Sequence, residues 1–267
     1  MKTRRAVSVA FAGLAVAAAC GASVYVASAE PSLLRIAAAA DLRFAMDVII
    51  GAFRQENPGI RVEVTYGSSG NFYAQLSNRA PFDIFFSADV DYPRRLVREG
   101  AALPDTEFLY GIGRLVVWVQ RASPIDVENL GMQSLLDASI KKIAIANPRH
   151  APYGRAAVDA MKNLGVYDRV KDRIVFGDSV MQTAQFVQGG GADIGLISHS
   201  FALAPTFRDK GRYWEVPVDA YPRREQGGVI LSWARDKSAA QTFRDFILGD
   251  RSKAILRGYG FGLPGES

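Results

Sequence analysis

With 267 residues, 49% of them apolar and 22% charged, the chain can bury a core in one large domain or two modest ones without covalent staples. One cysteine and two histidines, His150 and His199, argue against a disulfide scaffold or an iron–sulfur cluster, and neither histidine sits in a metal-ligand spacing such as H-x-x-x-H. The net charge of +5 does not mark a nucleic-acid binder, because basic residues are dispersed among acids, as with Arg94-Arg95 near Asp91 and Glu99, and no basic stripe with interleaved aromatics occurs.

The N-terminus reads as a secretory signal: Met1-Lys2-Thr3-Arg4-Arg5, an apolar run from Ala6 to Ala19, then Ala27-Ser28-Ala29, with cleavage expected before Glu30. Cys20 as a lipoprotein cysteine and Arg4-Arg5 as a twin-arginine signal are the other two readings. A membrane anchor is disfavoured, because the run is shorter than the ~20 residues a spanning helix needs and is interrupted by Gly13 and Gly21. Cleavage removes three of the 32 basic residues and the only cysteine, leaving 29 basic against 27 acidic residues and excluding thiol chemistry.

After the leader, short apolar runs alternate with helical patterns. Leu34 to Ala40 reads as a buried strand, and Leu42, Ala45, Met46, Ile49 and Phe53 follow at helical steps until Asn57-Pro58-Gly59. Ile60 to Thr65 is the next strand, running into Tyr66-Gly67-Ser68-Ser69-Gly70-Asn71 and a helix with Phe72 and Leu76. Such a turn suits an anion: the helix start offers unpaired N–H groups, glycines let backbone approach, and serines add neutral donors. Phe82 to Phe86 is a third strand, followed by helical residues from Tyr92 to Glu99.

A similar series begins after Gly111-Ile112-Gly113. Strands are expected at Leu115 to Val119, Lys142 to Ala146, Arg173 to Phe176 and Ala192 to Ile197, with helices near Met132 to Ala138, Arg155 to Leu164 and Val180 to Val187. The strand Gly228 to Trp233 and a helix with Phe243, Phe246 and Ile247 close the chain. Two strand–helix series predict an α/β architecture with two lobes, and ligands gather at the carboxyl ends of such strands. The turns at Asp41, Ser68-Ser69, Pro152-Tyr153, Ser179-Val180 and Ser198 therefore form one functional category. The crossings between lobes are expected in the glycine-bearing run near 109–114 and the proline-bearing run near 216–228.

Taken in order, Ala38-Ala39-Ala40-Asp41-Leu42, Tyr66-Gly67-Ser68-Ser69-Gly70, Ala80-Pro81-Phe82-Asp83-Ile84-Phe85-Phe86-Ser87-Ala88-Asp89, Asn147-Pro148-Arg149-His150-Ala151-Pro152-Tyr153-Gly154, Gly177-Asp178-Ser179-Val180, Ala192 to Ile197 and Tyr259-Gly260-Phe261 carry a resemblance. The chain resembles the periplasmic molybdate-binding proteins of bacterial ABC importers, within the type II solute-binding superfamily. The resemblance implies a two-lobed fold, each lobe a mostly parallel sheet flanked by helices, with lobe 1 over residues 30–112 and 222–267 and lobe 2 over 113–221. It implies a monomeric periplasmic protein that performs no catalysis, needs no cofactor, and hands molybdate or tungstate to a permease. The metal is bound as an oxyanion, with no direct cation ligands. By position, Ser69 should offer its hydroxyl and N–H, Val180 its N–H, and Tyr153 its backbone and its hydroxyl.

Asp41 departs from the serine or asparagine ligand of many family members, and Ser198 stands where some have tyrosine. An ionised Asp41 facing a dianion at 4 Å would be repulsive by about 4 kcal/mol at an effective dielectric of 20. Asp41 is therefore expected to cap the following helix, pointing away from the anion. If instead it faces the ligand, preference moves toward a protonated, phosphate-like oxyanion. A secreted serine hydrolase using Ser69 is the competing class, but Gly67-Ser68-Ser69-Gly70 does not fit the G-x-S-x-G elbow. A sensory module built on the same lobes is the third class. His150 is expected as a partly exposed loop residue, His199 on the rim, and Trp118, Trp214 and Trp233 in packing roles.

Overall fold

A computed structural model describes residues 31–266, so the expected signal at 1–29 lies outside the described residues. Among the described residues ten strands form two five-stranded sheets. β1 (Ser32–Ala39), β2 (Ile60–Gly67), β3 (Ile84–Ser87) and β4 (Phe108–Gly113) belong to the first sheet; β5 (Leu115–Gln120), β6 (Ile143–Ala146), β7 (Ile174–Gly177), β8 (Ile194–Ser198) and β9 (Gly211–Glu215) form the second. β10 (Arg224–Ile230) returns to the first.

The two sheets share one plan, with orders β2-β1-β3-β10-β4 and β7-β6-β8-β5-β9. β1 pairs parallel with β2 and β3, and β6 parallel with β7 and β8. β10 runs antiparallel to β3 and β4, and β5 antiparallel to β8 and β9. Each sheet thus has four strands pointing one way and a single reversed strand. The reversed strand is in both cases the one that arrives directly from the other lobe, so the chain crosses twice and enters each new sheet from the opposite direction.

The apolar run of β1 is covered on both faces, as a buried parallel strand requires. Leu34, Ile36 and Ala38 pack with Leu42, Ile49 and Phe53, while Ala37 faces Phe72, Phe85 and Val229. The helix Arg43–Glu56 buries Ala45, Met46, Ile49 and Phe53, the expected stripe. Trp118 is fully buried, and Trp214 and Trp233 pack against the cores, Trp233 donating to the Ala80 carbonyl.

Three local expectations change. The glycine-bearing run near 109–114 is a strand, β4, with only Arg114 between it and β5. Its outer edge is closed by the C-terminal segment, where Ile112 and Gly262 exchange both backbone hydrogen bonds. β9 was not anticipated, and residues 216–223 join it to β10, which itself starts earlier than expected at Arg224. The helix expected from Arg155 begins at Pro152, because proline fits the first helical position, where no N–H is needed. That shift puts Tyr153 in a helix's first turn.

Candidate functional site

The carboxyl ends of β1, β2 and β3 face those of β6 and β7 across a narrow cavity of about 10 Å³ lined by the turns these strands feed. Ala40, Asp41, Ser69 and Ala88 line it from the first lobe, and Tyr153 and Val180 from the second. Lysine, arginine and histidine are absent from the lining.

Ser69 opens the helix Ser69–Ser77 and is almost completely buried. Its Oγ accepts from the amide of Ala88 at 2.9 Å, which occupies an acceptor position and leaves the hydroxyl proton to be donated. Val180 opens the helix Val180–Gln188, whose cap, Ser179, accepts from Gln182 three positions on. Tyr153 follows Pro152 in the helix Pro152–Asn163. Helix starts leave N–H groups without intrahelical partners, and no acceptor among the described residues takes those of Ser69, Tyr153 or Val180. Three helix dipoles thus turn their positive ends toward one cavity.

Asp41 is fully buried and does not act as the expected cap. It lies inside the short turn Ala40–Leu42, which has no side-chain cap bond. Its Oδ2 accepts instead from Gln226 Nε2 at 2.6 Å and from the Tyr153 hydroxyl at 2.9 Å. Tertiary donors from β10 and from the opposite lobe hold one of its oxygens, while the amides of Asp41 itself and of Leu42 stay close enough to favour the charged form weakly. Burial pushes its pKa up to about 6, against the lowering effect of the bonds from Gln226 and Tyr153. Burial first, and then the charge of Asp41, hold the Tyr153 hydroxyl well above the ordinary tyrosine range, so it remains a neutral donor. Gly113 fits beneath this cluster because a Cβ there would stand 2.5 Å from both the Tyr153 hydroxyl and Gln226 Nε2.

The lobes are tied by further contacts around the cavity. The Gly70 amide donates to the His150 carbonyl, and Ser68 Oγ lies 2.9 Å from His150 Nδ1. Ser200 Oγ donates to the Asp41 carbonyl at 2.7 Å and is itself 2.9 Å from Ser198 Oγ. Arg155 meets Asp89 at 2.6 Å. His150 is partly exposed, as expected, but bridges the lobes. His199 is buried rather than on the rim, beside Tyr213 and Glu215. Its pKa is lowered by burial, only partly opposed by Glu215.

A sequence-family model described as bacterial extracellular solute-binding protein matches residues 34–262. The chain belongs to this family. Among its relatives, the molybdate-binding protein ModA of Rhodobacter capsulatus is 36% identical over 212 residues, covering 79% of this chain and 81% of that protein. ModA of Azotobacter vinelandii is 33% identical, with 92% and 96% covered. The solved structure of the A. vinelandii periplasmic molybdate-binding protein superposes with a TM-score of 0.81 at 34% identity, covering 86% of this chain and 99% of that one. These relatives are named as binding proteins, and this chain shares the fold of the A. vinelandii structure.

Within this family frame the hydrolase alternative finds no support in the geometry. Among the described residues Ser69 has no histidine partner, its Oγ accepting from the Ala88 amide. Ser68, His150 and Asp178 do succeed one another in space, but Asp178 is 67% exposed and stays 3.4 Å from His150 Nε2, outside the buried, tightly bonded arrangement a catalytic triad needs. Of the turns singled out from the sequence, the cavity brings together Asp41, Ser68-Ser69, Pro152-Tyr153 and Val180, whereas Ser179 and Ser198 do not line it. Gln226 and Ser200 were not anticipated. Ser200 sits just beyond a strand end already marked as functional, whereas nothing local distinguishes Gln226.

Proposed function

We propose that this chain is the extracytoplasmic capture protein of an ABC importer and that it binds molybdate, and also tungstate, between its lobes. Ser69 would give its hydroxyl and amide, Val180 and Tyr153 their amides, and the Tyr153–Asp41–Gln226 cluster would close the floor. The observation that carries the reading is the convergence of the Ser69 hydroxyl with three open helix N-termini on a cavity without a cation. Neutral, preorganised donors recognise a compact dianion without a permanent ion pair, so the lobes can reopen and release it. The names of the ModA relatives support the choice of molybdate.

The cavity suits a compact ion rather than a sugar or peptide, and a slight parting of the lobes would admit a tetrahedral anion. Lobe 1 is taken as residues 30–112 and 222–267 and lobe 2 as 113–221. No helix among the described residues is long and apolar enough to cross a membrane. A monomer released into the periplasm by signal cleavage, with a permease as its partner, completes the reading.

Calorimetric titration of the mature protein with molybdate, tungstate, sulfate and phosphate tests it. Tight binding of the first two with little sulfate binding is expected. Absence of both heat and thermal shift with molybdate and with tungstate would end the proposal.

A further inference from the structure

Asp41 Oδ1 is buried and has no hydrogen-bond partner among the described residues, although Oδ2 of the same carboxyl accepts two bonds. The groups that surround it are uncharged. Tyr153 reaches it from the helix Pro152–Asn163, Gln226 from β10, and Tyr110 on β4 is held neutral by burial first and by Asp41 second. Ser200, from the helix His199–Leu203, bonds its backbone carbonyl. Arg224, two residues before Gln226, is engaged with Asp159 and Asp89 instead. A dianion entering this cavity therefore meets a carboxyl group that, among the described residues, has no cation beside it and one buried oxygen with no tertiary partner, only the amides of Asp41 and Leu42 being near.

Resting on the oxyanion reading above, we propose that the anion is bound together with one proton, shared between Asp41 Oδ1 and a ligand oxygen. Asp41 thereby selects oxyanions able to share a proton. The proton comes from solvent on binding and returns to it on release, and no covalent bond changes. Whether the carboxylic acid donates to a dianion or the carboxylate accepts from a protonated anion, the bound state carries one proton more than the ionised free site and the dianion apart. Closure of the lobes assists, because Tyr153 reaches Asp41 from the opposite lobe and completes its burial. The raised pKa of Asp41 agrees with this in direction.

The test is calorimetric titration of the wild-type protein with sodium molybdate in buffers of different ionisation enthalpy, with the affinity followed across neutral and mildly alkaline pH. Uptake of close to one proton per anion is expected, and Kd should rise about tenfold per pH unit above neutrality. Asp41→Asn, which places an amide donor where the shared proton sits, should reduce proton uptake to near zero. It should also flatten the pH profile and bind about tenfold or more tightly than wild type at about pH 8. Wild-type protein that binds molybdate with no proton uptake and a flat profile overturns the proposal while leaving the oxyanion function intact. Failure to bind molybdate or tungstate at any pH overturns that function and the proposal with it. The wild-type proton count needs no variant, so poor folding of Asp41→Asn would not rescue the idea.

Discussion

Ser69 holds its hydroxyl against the Ala88 amide, so the proton it presents to the cavity is oriented before any ligand arrives. Ser69→Ala removes that donor and strands the buried Ala88 N–H. Hydrogen bonds to charged groups are worth about 1.5–3 kcal/mol, so molybdate affinity should fall about tenfold to a hundredfold by calorimetry. Asp41 works against stability in the protein without ligand. Its folded-state pKa, about 6 against an ordinary 3.8, means that the folded form holds the proton more tightly than the unfolded chain. Its contribution is fully present below about pH 4 and is lost as pH rises through about 6. Asp41→Asn, keeping an acceptor for Tyr153 and Gln226 but no charge, should stabilise the ligand-free protein by about 1–3 kcal/mol above pH 6. The gain should shrink toward pH 4, as thermal melts across that range would show. An equal gain at every pH would refute the electrostatic origin.

At the level of elements, the site is an assembly of strand-to-helix junctions, and their reach across the cleft depends on close backbone approach. A Cβ on Gly70 would stand 2.5 Å from the His150 carbonyl oxygen and 2.9 Å from both its Cα and the Tyr92 hydroxyl. Gly70→Ala should weaken molybdate binding at least about tenfold through impaired closure. A large loss of stability with unchanged affinity would contradict that assignment. These junctions were legible in the sequence because an apolar run, a Gly/Ser turn and a helical stripe are local signals; they marked the Ser68-Ser69 and Ser179-Val180 turns, and the family resemblance pointed to Ser69 and Val180 within them. What stayed hidden is long-range. Gln226 and Ser200 reach Asp41 from elements far along the chain, and the cap expected of Asp41 was a sound local inference overridden by those partners. β4 and β9 carry a weaker local signal because they are edge strands, β4 interrupted by glycine and β9 by charged residues.

The described residues form two copies of one sheet plan, each completed by a strand from the other side, and across the cleft polar contacts run beside apolar ones, with Phe44 edge-on to Phe201 and Phe207 and Ala39, Ala40 and Ala88 packed into the second sheet's core. Arg155 to Asp89 is the shortest ion pair between the two sides, with Arg155 also placed over the Tyr92 ring. Both partners are largely buried, yet the pair forms only when the lobes meet. Arg155→Ala should raise the molybdate dissociation rate about threefold to tenfold in stopped-flow displacement, with a smaller effect on association. An unchanged dissociation rate would mean that closure does not depend on this pair. The central claim is that a tetrahedral oxyanion sits between the lobes, held by neutral donors. Anomalous diffraction at the molybdenum edge from crystals grown with molybdate tests it most directly. One anomalous peak is predicted between the lobes, its oxygens about 2.7–3.2 Å from Ser69 Oγ and the Val180 amide. A peak elsewhere on the surface, or one coordinated by arginine or lysine, would contradict the account.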